Sequence, residues 1–383
     1  MRFKHCSWFH FHEHEREHEL KIAVYQCKTR ASCYRVQFGD LKKIYDSEQT
    51  PIFQDEEWMT RSIITWMEAD LKIPGNIVLS IKDSLYTTDG ETIQLIATQK
   101  NAAIQAFYQL NKSSIVVPDL EKRCMLLFDR DNSKFFSFAG DCDPQPGSKI
   151  LLDGGPFEAE TSWVSDIIRG EGRNYSQNLF FIDFDIHAIA TVLRLVNIDT
   201  QYVETLHSLY PRVGALCWEY STSNILIGGE SGITRLNLDK NTFESVTVAG
   251  EDIPGRVEDN AARNGPLLEA TFLRPNRIIN IVENMYVTVS QLGVQVIDLT
   301  NMYMHSVCTL SYQQSIREGN ITLCQTPSQV YAPLYFDGHL YFSVSYDWNK
   351  IQIARIKGKD LGLVFEIKST FNRSETLQFL ILN

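Results

Sequence analysis

"NGPLLEATFLRPNRI" (residues 264–278) and "GPFEAETSWVSDI" (residues 155–167) are two versions of one pattern, in which Gly-Pro precedes an acidic residue, a small residue and an apolar tail. Each Gly-Pro begins 15 residues after a strand-like stretch that ends in Ala-Gly, at Gly140 and at Gly250. The two glycines are 110 residues apart. This distance corresponds to two structural units of about 55 residues each, which predicts an internal repeat.

The repeated unit consists of short apolar strands separated by turns. Its order is a strand, an Asp, a second strand that ends in Asp, a turn and a third strand. Three or four short strands cannot bury both faces of a sheet, so neighbouring sheets are expected to stack around an axis. Copies of the first apolar strand begin near Ile77, Ile115, Phe180, Ile225, Met285 and Leu340.

Two residue types in the unit have a predicted structural role. Asp119, Asp183 and Asp298 each follow an apolar strand, where a carboxylate accepts backbone N–H groups of a tight turn. Gly140 and Gly250 are expected to release the chain from a strand at positive φ, which other residues resist.

These stretches resemble a known family, the NHL-repeat β-propellers. The matching motifs are "LFDRDNSKFFSFAG" (127–140), "NGPLLEATFLRPNRI" (264–278) and "MYVTVSQLGVQVIDL" (285–299), including Ala270, Phe272 and Pro275. The resemblance spans residues 60–370, and the first and last copies depart from it because they lack the Ala-Gly ending. It implies an all-β, six-bladed β-propeller of four-stranded blades.

Two regions follow from this pattern. Residues 56–383 are predicted to form the propeller. Residues 1–55, which contain histidines and cysteines but no sustained apolar period, are predicted to form a short, irregular and partly disordered N-terminal extension.

The overall charge narrows the classes of partner. The formal net charge is −11 and the isoelectric point is about 5.4. Such a field repels a phosphate backbone, and the one basic cluster (residues 21–43) is short, so no nucleic-acid partner is expected. No apolar run reaches the roughly 18 residues of a membrane helix. We therefore expect no membrane span, and residues 1–20 lack the apolar core of a secretory leader.

The eight cysteines allow three local disulfides. The candidate pairs are Cys124–Cys142, Cys308–Cys324 and Cys27–Cys33. A bridge over a loop of about 15 residues contributes roughly 3 kcal/mol by restricting the unfolded chain. Disulfides predict an extracellular compartment, whereas eight reduced and mostly buried thiols are the alternative.

"HEREH" (residues 14–18) has the spacing of a zinc-protease helix. His14 and His18 would share one face and Glu15 would be a general base. However, the middle positions of this motif are charged, whereas a zinc-protease helix has an apolar residue there. Zinc hydrolysis also needs a cleft with protein walls, and this motif lies before the first stretch of sequence that could form a core. A solvated tail is therefore predicted, with no catalytic residue, no metal and no cofactor.

"DFDIH" (residues 183–187) is a second candidate for metal binding. Asp183, Asp185 and His187 alternate along one strand face and could bind a cation, but a turn-capping Asp is the preferred interpretation. The downstream histidines do not recur at equivalent blade positions, which argues against an axial zinc site. A calcium site built from acids and amides stays open.

A recognition module is the leading functional prediction, and enzymatic activity is not the preferred one. No Gly-rich phosphate loop, Gly-x-Ser-x-Gly elbow or paired CxxC motif occurs. The long loops 141–157 and 251–266 lie at equivalent places in two blades and are expected to bind a protein or peptide on one rim. Their excess of acids favours a basic partner. The acidic residues are Asp141, Asp143, Asp153, Glu251, Asp252, Glu258 and Asp259.

Two other functions stay open at this point. Some propeller enzymes hold calcium at the axis, and the amidating lyase related to these repeats holds zinc, so the resemblance also allows a calcium- or zinc-dependent hydrolase or lyase with its site in the central channel. An RNA-binding propeller resembles some NHL members, but those members display a basic face and this chain is acidic.

Overall fold

In the computed structural model, most of the described residues form β-structure. The described residues are 23–29, 32–37, 42–46, 64–89, 92–100, 102–143, 151–185, 190–209, 214–220, 222–239, 245–250, 265–270, 272, 274–290, 293–309, 329–346, 350–359 and 364–366. In these ranges the helical elements are α1 (Gly172–Tyr175) and one turn of 3-10 helix (Leu267–Glu269). No helix in the described residues has the length and hydrophobicity needed to cross a bilayer.

Three strands precede the propeller. They are β1 (Ala23–Thr29), β2 (Ser32–Gln37) and β3 (Lys42–Asp46). Strands β1 and β2 form an antiparallel hairpin of their own. All three lie in the part of the chain that the sequence assigns to the N-terminal extension.

Five blades of four consecutive antiparallel strands follow. Blade 1 contains β4 (Ile64–Ala69), β5 (Ile77–Ile81), β6 (Ser84–Thr88) and β7 (Ile93–Thr98). Blade 2 contains β8 (Tyr108–Asn111), β9 (Ser114–Asp119), β10 (Cys124–Asp129) and β11 (Lys134–Ala139). Blade 3 contains β12 (Trp163–Arg169), β13 (Asn178–Asp185), β14 (Ala190–Asn197) and β15 (Val203–Leu209).

The fourth and fifth blades have the same strand order. Blade 4 contains β16 (Ala215–Trp218), β17 (Asn224–Gly228), β18 (Gly232–Asn237) and β19 (Ser245–Gly250). A two-residue strand, β20 (Gly265–Pro266), comes before blade 5 and pairs with its outer strand. Blade 5 contains β21 (Arg277–Val282), β22 (Met285–Ser290), β23 (Gly293–Asp298) and β24 (Tyr303–Thr309).

The last sheet is built differently from these blades. It contains β25 (Gln329–Phe336), β26 (His339–Tyr346), β27 (Lys350–Lys359) and β28 (Val364–Glu366). Strand β28 pairs only with the end of β27, and β3 pairs with another part of the same edge. Because β27 is ten residues long, its edge accommodates two short partners. The described residues thus form five blades of the predicted type, and the prediction of six is wrong.

The first strand of each blade lies nearest the axis. Strand β12 contacts β8 and β16, β16 contacts β21, and β25 of the last sheet contacts both β21 and β4. The apolar cores lie between neighbouring sheets, and one of them joins blade 1 to the last sheet. Each fully buried Leu, Ile or Phe there contributes about 1.5–3 kcal/mol, which explains why single sheets depend on their neighbours.

The predicted turn residues adopt their expected roles in most cases. The φ angle is +91° at Gly140 and +79° at Gly250, as predicted. Asp298 Oδ1 accepts the backbone N–H groups of residues 300 and 301, both at 2.9 Å. Asp119 Oδ1 accepts the N–H of residue 122 at 3.0 Å. Asp183 differs, because its carboxylate binds an arginine side chain as well as a backbone N–H.

Candidate functional site

The connection from blade 2 to blade 3 reaches the outer edge of blade 3. We call its residues 151–160 the first strap. Gly154 and Val203 of β15 exchange two backbone hydrogen bonds, with N···O distances of 3.1 and 2.8 Å. Within the strap, the N–H of Glu160 donates to the carbonyl oxygen of Leu152 at 3.1 Å. The strap therefore adds one β-bridge to the outer edge of the blade and then turns back toward its first strand.

The connection from blade 4 to blade 5 repeats this arrangement. We call residues 265–270 the second strap. Gly265 pairs with Met304, which occupies in β24 the position that Val203 occupies in β15. The repeat seen in the sequence thus places a glycine at the outer edge of two blades. The sequence aligns Gly155 with Gly265, whereas in the structure the equivalent of Gly265 is Gly154, one residue earlier.

Arg194 of β14 fixes the first strap in place. Its guanidinium is fully buried and donates to the carbonyl oxygens of Leu152 and Glu160. It also binds the carboxylates of Asp183 at 2.9 Å and of Asp153 at 3.1 Å. A planar guanidinium with five N–H donors suits such a set of acceptors. The buried charge therefore ties the strap to the middle of blade 3.

The acids predicted to bind a partner have different surroundings. Asp153 Oδ1 accepts the hydroxyl of Thr205 at 2.7 Å in addition to Arg194. Burial by itself raises the pKa of Asp153, but hydrogen bonds from Thr205 and the charge of Arg194 outweigh it and hold the pKa below its usual value. Asp141 Oδ1 accepts the backbone N–H of Asp143 at 2.9 Å, and Asp143 is exposed. Glu251, Asp252, Glu258 and Asp259 lie outside the described residues.

The first strap and its surroundings display large apolar side chains. Phe157 is 74% exposed, Leu152 44% and Trp163 41%. Aromatic side chains are enriched in protein interfaces, so an exposed phenylalanine and an exposed tryptophan suit contact with a partner. The sequence pointed to the acids of this loop, whereas the structure adds three apolar side chains.

One predicted disulfide supports the same connection. Cys124 at the start of β10 is bonded to Cys142, with an S–S distance of 2.04 Å. In the backbone register of β1 and β2, Cys27 lies opposite Cys33. The side chains of that pair and of Cys308, and all of Cys324, lie outside the described residues.

A second set of polar side chains lies around the axis, on the first strands. Glu68 of β4 accepts hydrogen bonds from the indole of Trp66 and from the backbone N–H of Gln109 in β8, both at 3.2 Å. Asp166 of β12 accepts the backbone N–H of Leu216 in β16 through Oδ2 at 2.7 Å. Each carboxylate thus links its own blade to the next one.

Arg277 of β21 completes this axial cluster. Its Nη1 donates to the carbonyl oxygen of Met67 in β4 at 2.8 Å. The guanidinium carbon lies 3.4 Å from the centroid of the Trp66 ring, whose face attracts a cation. Burial lowers the pKa of Arg277, and the charges of Asp166 and Glu68 oppose this shift and favour the protonated guanidinium. Arg277 therefore supplies the positive charge that balances the two axial acids.

Burial perturbs the titration of the axial groups. It raises the pKa of Asp166 to about 7, against the opposing effects of Arg277 and the Leu216 N–H. Within the described residues, Oδ1 of Asp166 has no hydrogen-bond partner. Burial also raises the pKa of Glu68, and it raises that of the Cys217 thiol so far that the thiol is unreactive at neutral pH.

The axial cluster does not fit a divalent metal. In the described part of the chain, no group of three His, Cys, Asp or Glu side chains is arranged to hold one. Calcium takes about six to eight oxygen ligands, whereas Arg277 lies among the acids here and would repel it. Asp166 and Glu68 already accept hydrogen bonds from neighbouring strands. These side chains suit a guanidinium better than a metal ion.

The described residues include only part of the two metal-like motifs of the sequence. "HEREH" (residues 14–18) lies outside the described residues. In "DFDIH", Asp183 is engaged by Arg194 and by the backbone N–H of Ser162 at 2.8 Å. The side chain of Asp185 and all of His187 lie outside the described residues.

No protein-family model and no curated protein sequence matches this chain. Solved structures do resemble it. A structural genomics protein of unknown function from Bacteroides thetaiotaomicron is 12% identical, with a TM-score of 0.52 over 89% of this chain and 82% of that chain. A luciferin-regenerating enzyme is 11% identical, with a TM-score of 0.53 over 81% of this chain and 95% of that chain.

A binding protein is among the similar structures as well. An auxiliary nutrient binding protein from Bacteroides thetaiotaomicron is 10% identical, with a TM-score of 0.53 over 76% of this chain and 68% of that chain. Identities this low show the fold alone, which is a β-propeller, and membership of the NHL-repeat family stays a prediction.

Proposed function

We propose that this chain is a non-enzymatic recognition propeller that binds a protein or peptide partner through the first strap. One observation carries the proposal: the strap is firmly held, yet it displays large apolar side chains. Phe157 is 74% exposed, although the chain is bonded on both sides of it. Gly154 pairs with Val203 before it, and the N–H of Thr161 donates to the carbonyl oxygen of Arg123 at 3.0 Å after it.

The fixed backbone has a consequence for affinity. Ordering a loop on binding costs conformational entropy, and a loop that is already ordered avoids most of this cost. The Arg194 network and the Cys124–Cys142 disulfide hold the first strap and the chain that leads to it. Phe157, Leu152 and Trp163 can then act as apolar anchors that lose only side-chain freedom when a partner covers them.

Charge supports a basic partner. The chain carries a formal net charge of −11, so a basic protein approaches it faster than an acidic one. Asp143 is exposed beside the strap and adds to this attraction. An oxidising, extracellular compartment suits the disulfide and forms part of the proposal.

The axial cluster favours binding over catalysis as the role of this molecule. Arg277 is engaged by Met67 and Trp66, and Glu68 is engaged by Trp66 and Gln109. These side chains hold first strands together around the axis. A catalytic site needs polar groups that are left for a substrate.

An enzyme with a site in the central channel is the second candidate. The observation in its favour is Asp166, whose pKa is raised to about 7 by burial and whose Oδ1 has no partner in the described residues. A carboxyl group that titrates near neutral pH is suited to general acid–base chemistry. Because the axial acids do not fit a metal, this form of the enzyme would work without calcium or zinc.

Panning of a random peptide library on the purified protein tests the proposal. We expect peptides that bind the native chain, and we expect Phe157→Ser to weaken them at least about tenfold in a fluorescence-polarisation titration. Met302→Ser is the matched control, since Met302 is 48% exposed on a turn of blade 5. Selection of no peptide, or equal loss in both variants, would contradict the strap as the recognition surface.

Asp166→Asn separates the two candidates in the same titration. On the recognition proposal this variant leaves peptide affinity unchanged, because Asp166 is fully buried at the axis. If the selected ligands lose affinity on Asp166→Asn and keep it on Phe157→Ser, the channel is the binding site and the enzyme candidate takes precedence.

A further inference from the structure

In the part of the chain that the structure describes, the outer strands of the sheets are not equally covered. The first strap pairs with β15 of blade 3, the second strap pairs with β24 of blade 5, and β3 pairs with β27 of the last sheet. In the described residues, β7, β11 and β19 pair on one side only. An uncovered outer strand presents a row of backbone N–H and C=O groups that can pair with another strand.

Two of the three uncovered strands have an exposed apolar residue at the same position. The position is in the fourth strand of a blade. Its pairing partner in the third strand is the second residue before the Asp or Asn that begins the turn between these strands. The position is occupied by Phe136 in blade 2 and Val246 in blade 4, which are 49% and 56% exposed, and by Gln94 in blade 1. In the two strapped blades the same position holds Glu204 and His305. The apolar residue therefore occurs at two of the three open edges and at neither strapped edge.

Strand β11 has outward backbone groups that match those used by the first strap. In blade 3, the N–H and C=O of Val203 bond to Gly154, and the N–H of Thr205 donates to Asp153. Phe135 and Ser137 occupy these two positions in β11. Their backbone groups thus point away from blade 2.

The chain's own preceding connection cannot cover this edge. Blades 3 and 5 follow long connections, which have the length to reach the outer strand. Blade 2 follows a short one, whose residues Ala102, Ile104, Ala106 and Phe107 are fully buried in the core between blades. A second copy of the chain is disfavoured by the net charge of −11 on each molecule.

We propose that the open edge of β11 accepts an extended segment of a partner protein, which adds to blade 2 as a fifth, antiparallel strand. This inference rests on the proposed recognition function and specifies how the partner binds. The segment needs free backbone N–H groups, and one of its apolar side chains packs on Phe136. Basic residues at its other positions suit the charge of the chain.

Ser137→Pro tests this inference on the peptides selected against the native protein. Proline removes the outward N–H of residue 137, so we expect at least about a tenfold loss of affinity. Ser137→Ala is the matched control, because it removes only the hydroxyl and its 3.3 Å contact with Cys142 Sγ, and it should bind like the native chain.

A second pair of variants covers the case in which Ser137→Pro does not fold. Phe136→Ser should weaken the peptides about fivefold or more, whereas Val246→Ser, at the equivalent position of blade 4, should not. Hydrogen exchange of the native protein with bound peptide should show slowed exchange at Phe135 and Ser137.

The outcomes separate the two proposals. Peptides that bind, depend on Phe157 and ignore every change in β11 overturn strand addition and leave strap recognition standing. If no peptide binds, both proposals fall. If sedimentation shows a concentration-dependent dimer that Phe136→Ser abolishes, the edge belongs to a second copy of the chain and the partner segment is overturned.

Discussion

Blades 3 and 5 carry a strap at the same place and hold it by different chemistry. In blade 3, the buried guanidinium of Arg194 binds the strap through carbonyl and carboxylate oxygens. In blade 5, the equivalent residue of the third strand is Gln295, and the strap is held by the apolar packing of Leu267 and Phe272. The long connection before each blade is common to both. The comparison indicates that chain connection sets where a strap lies, while local sequence sets how it is held.

The largest expected effect comes from removing the charge in blade 3. Arg194→Met leaves Asp183 buried without its partner, and we expect unfolding free energy to fall by about 3–5 kcal/mol. Gln295→Met, at the equivalent position of blade 5, should cost about 1 kcal/mol. Urea unfolding of both variants measures the difference. Equal losses would show that the two straps do not differ as described.

Removing apolar contact should have its main effect in blade 5. Leu267 is 1% exposed in the second strap, and Leu267→Ala should cost about 3 kcal/mol. The adjacent Leu268 is 57% exposed, so Leu268→Ala should change stability by less than about 0.5 kcal/mol. Thermal unfolding distinguishes the two variants. Similar shifts in Tm would contradict apolar anchoring of this strap.

Ionisation of Asp166, on the first strand of blade 3, should lower the free energy of unfolding. Burial raises the pKa of Asp166 to about 7, so ionisation opposes folding as pH rises from about 4 to 7. Asp166→Asn should be more stable than the native chain by on the order of 2 kcal/mol at pH 8, with no difference at pH 4. Denaturant unfolding across this range is the measurement, and a difference that does not vary with pH would refute the assignment.

Asp153 should give the smallest effect, with the opposite sign. Its folded-state pKa is lowered, so it stabilises the fold above its ordinary pKa near 4, and the contribution is lost as pH falls below that value. Its side chain is 39% exposed, and solvent screening reduces the effect to a few tenths of a kcal/mol. Asp153→Asn should be slightly less stable at pH 7 and equal to the native chain near pH 2.

Local order in the sequence was sufficient to predict several features. The repeated strands predicted an all-β propeller, and the positive φ values of Gly140 and Gly250 followed from their place after an outer strand. The disulfide Cys124–Cys142 followed from two cysteines that flank a hairpin. Each of these features depends on residues that are close in sequence, where turn and strand preferences are strong.

Features that join distant residues were not predicted. Arg194 has partners from the strap and from β13, so its role emerges only when the strap has reached blade 3. One signal was present, since "VLRLV" (residues 192–196) places an arginine in the middle of an apolar strand. The axial cluster of Glu68, Asp166 and Arg277 comes from three blades, which no local pattern brings together.

The prediction of six blades was wrong for the same reason. The last repeat was read as a complete blade that begins near Leu340, but the outer edge of β27 is shared between β28 and β3. Strand β3 precedes the five blades in the sequence, whereas its partner β27 follows them. The sequence around β27 therefore does not indicate that β3 pairs with it. Periodicity alone therefore cannot tell a four-strand blade from a sheet that borrows an edge.

The pairing of β3 with β27 also sets an order of events during synthesis on the ribosome. Strand β3 leaves the exit tunnel before any of the five blades, and its partner leaves after all of them. The pairing of β3 with β27 is therefore a contact between segments far apart along the chain, and contacts of this kind form slowly during folding.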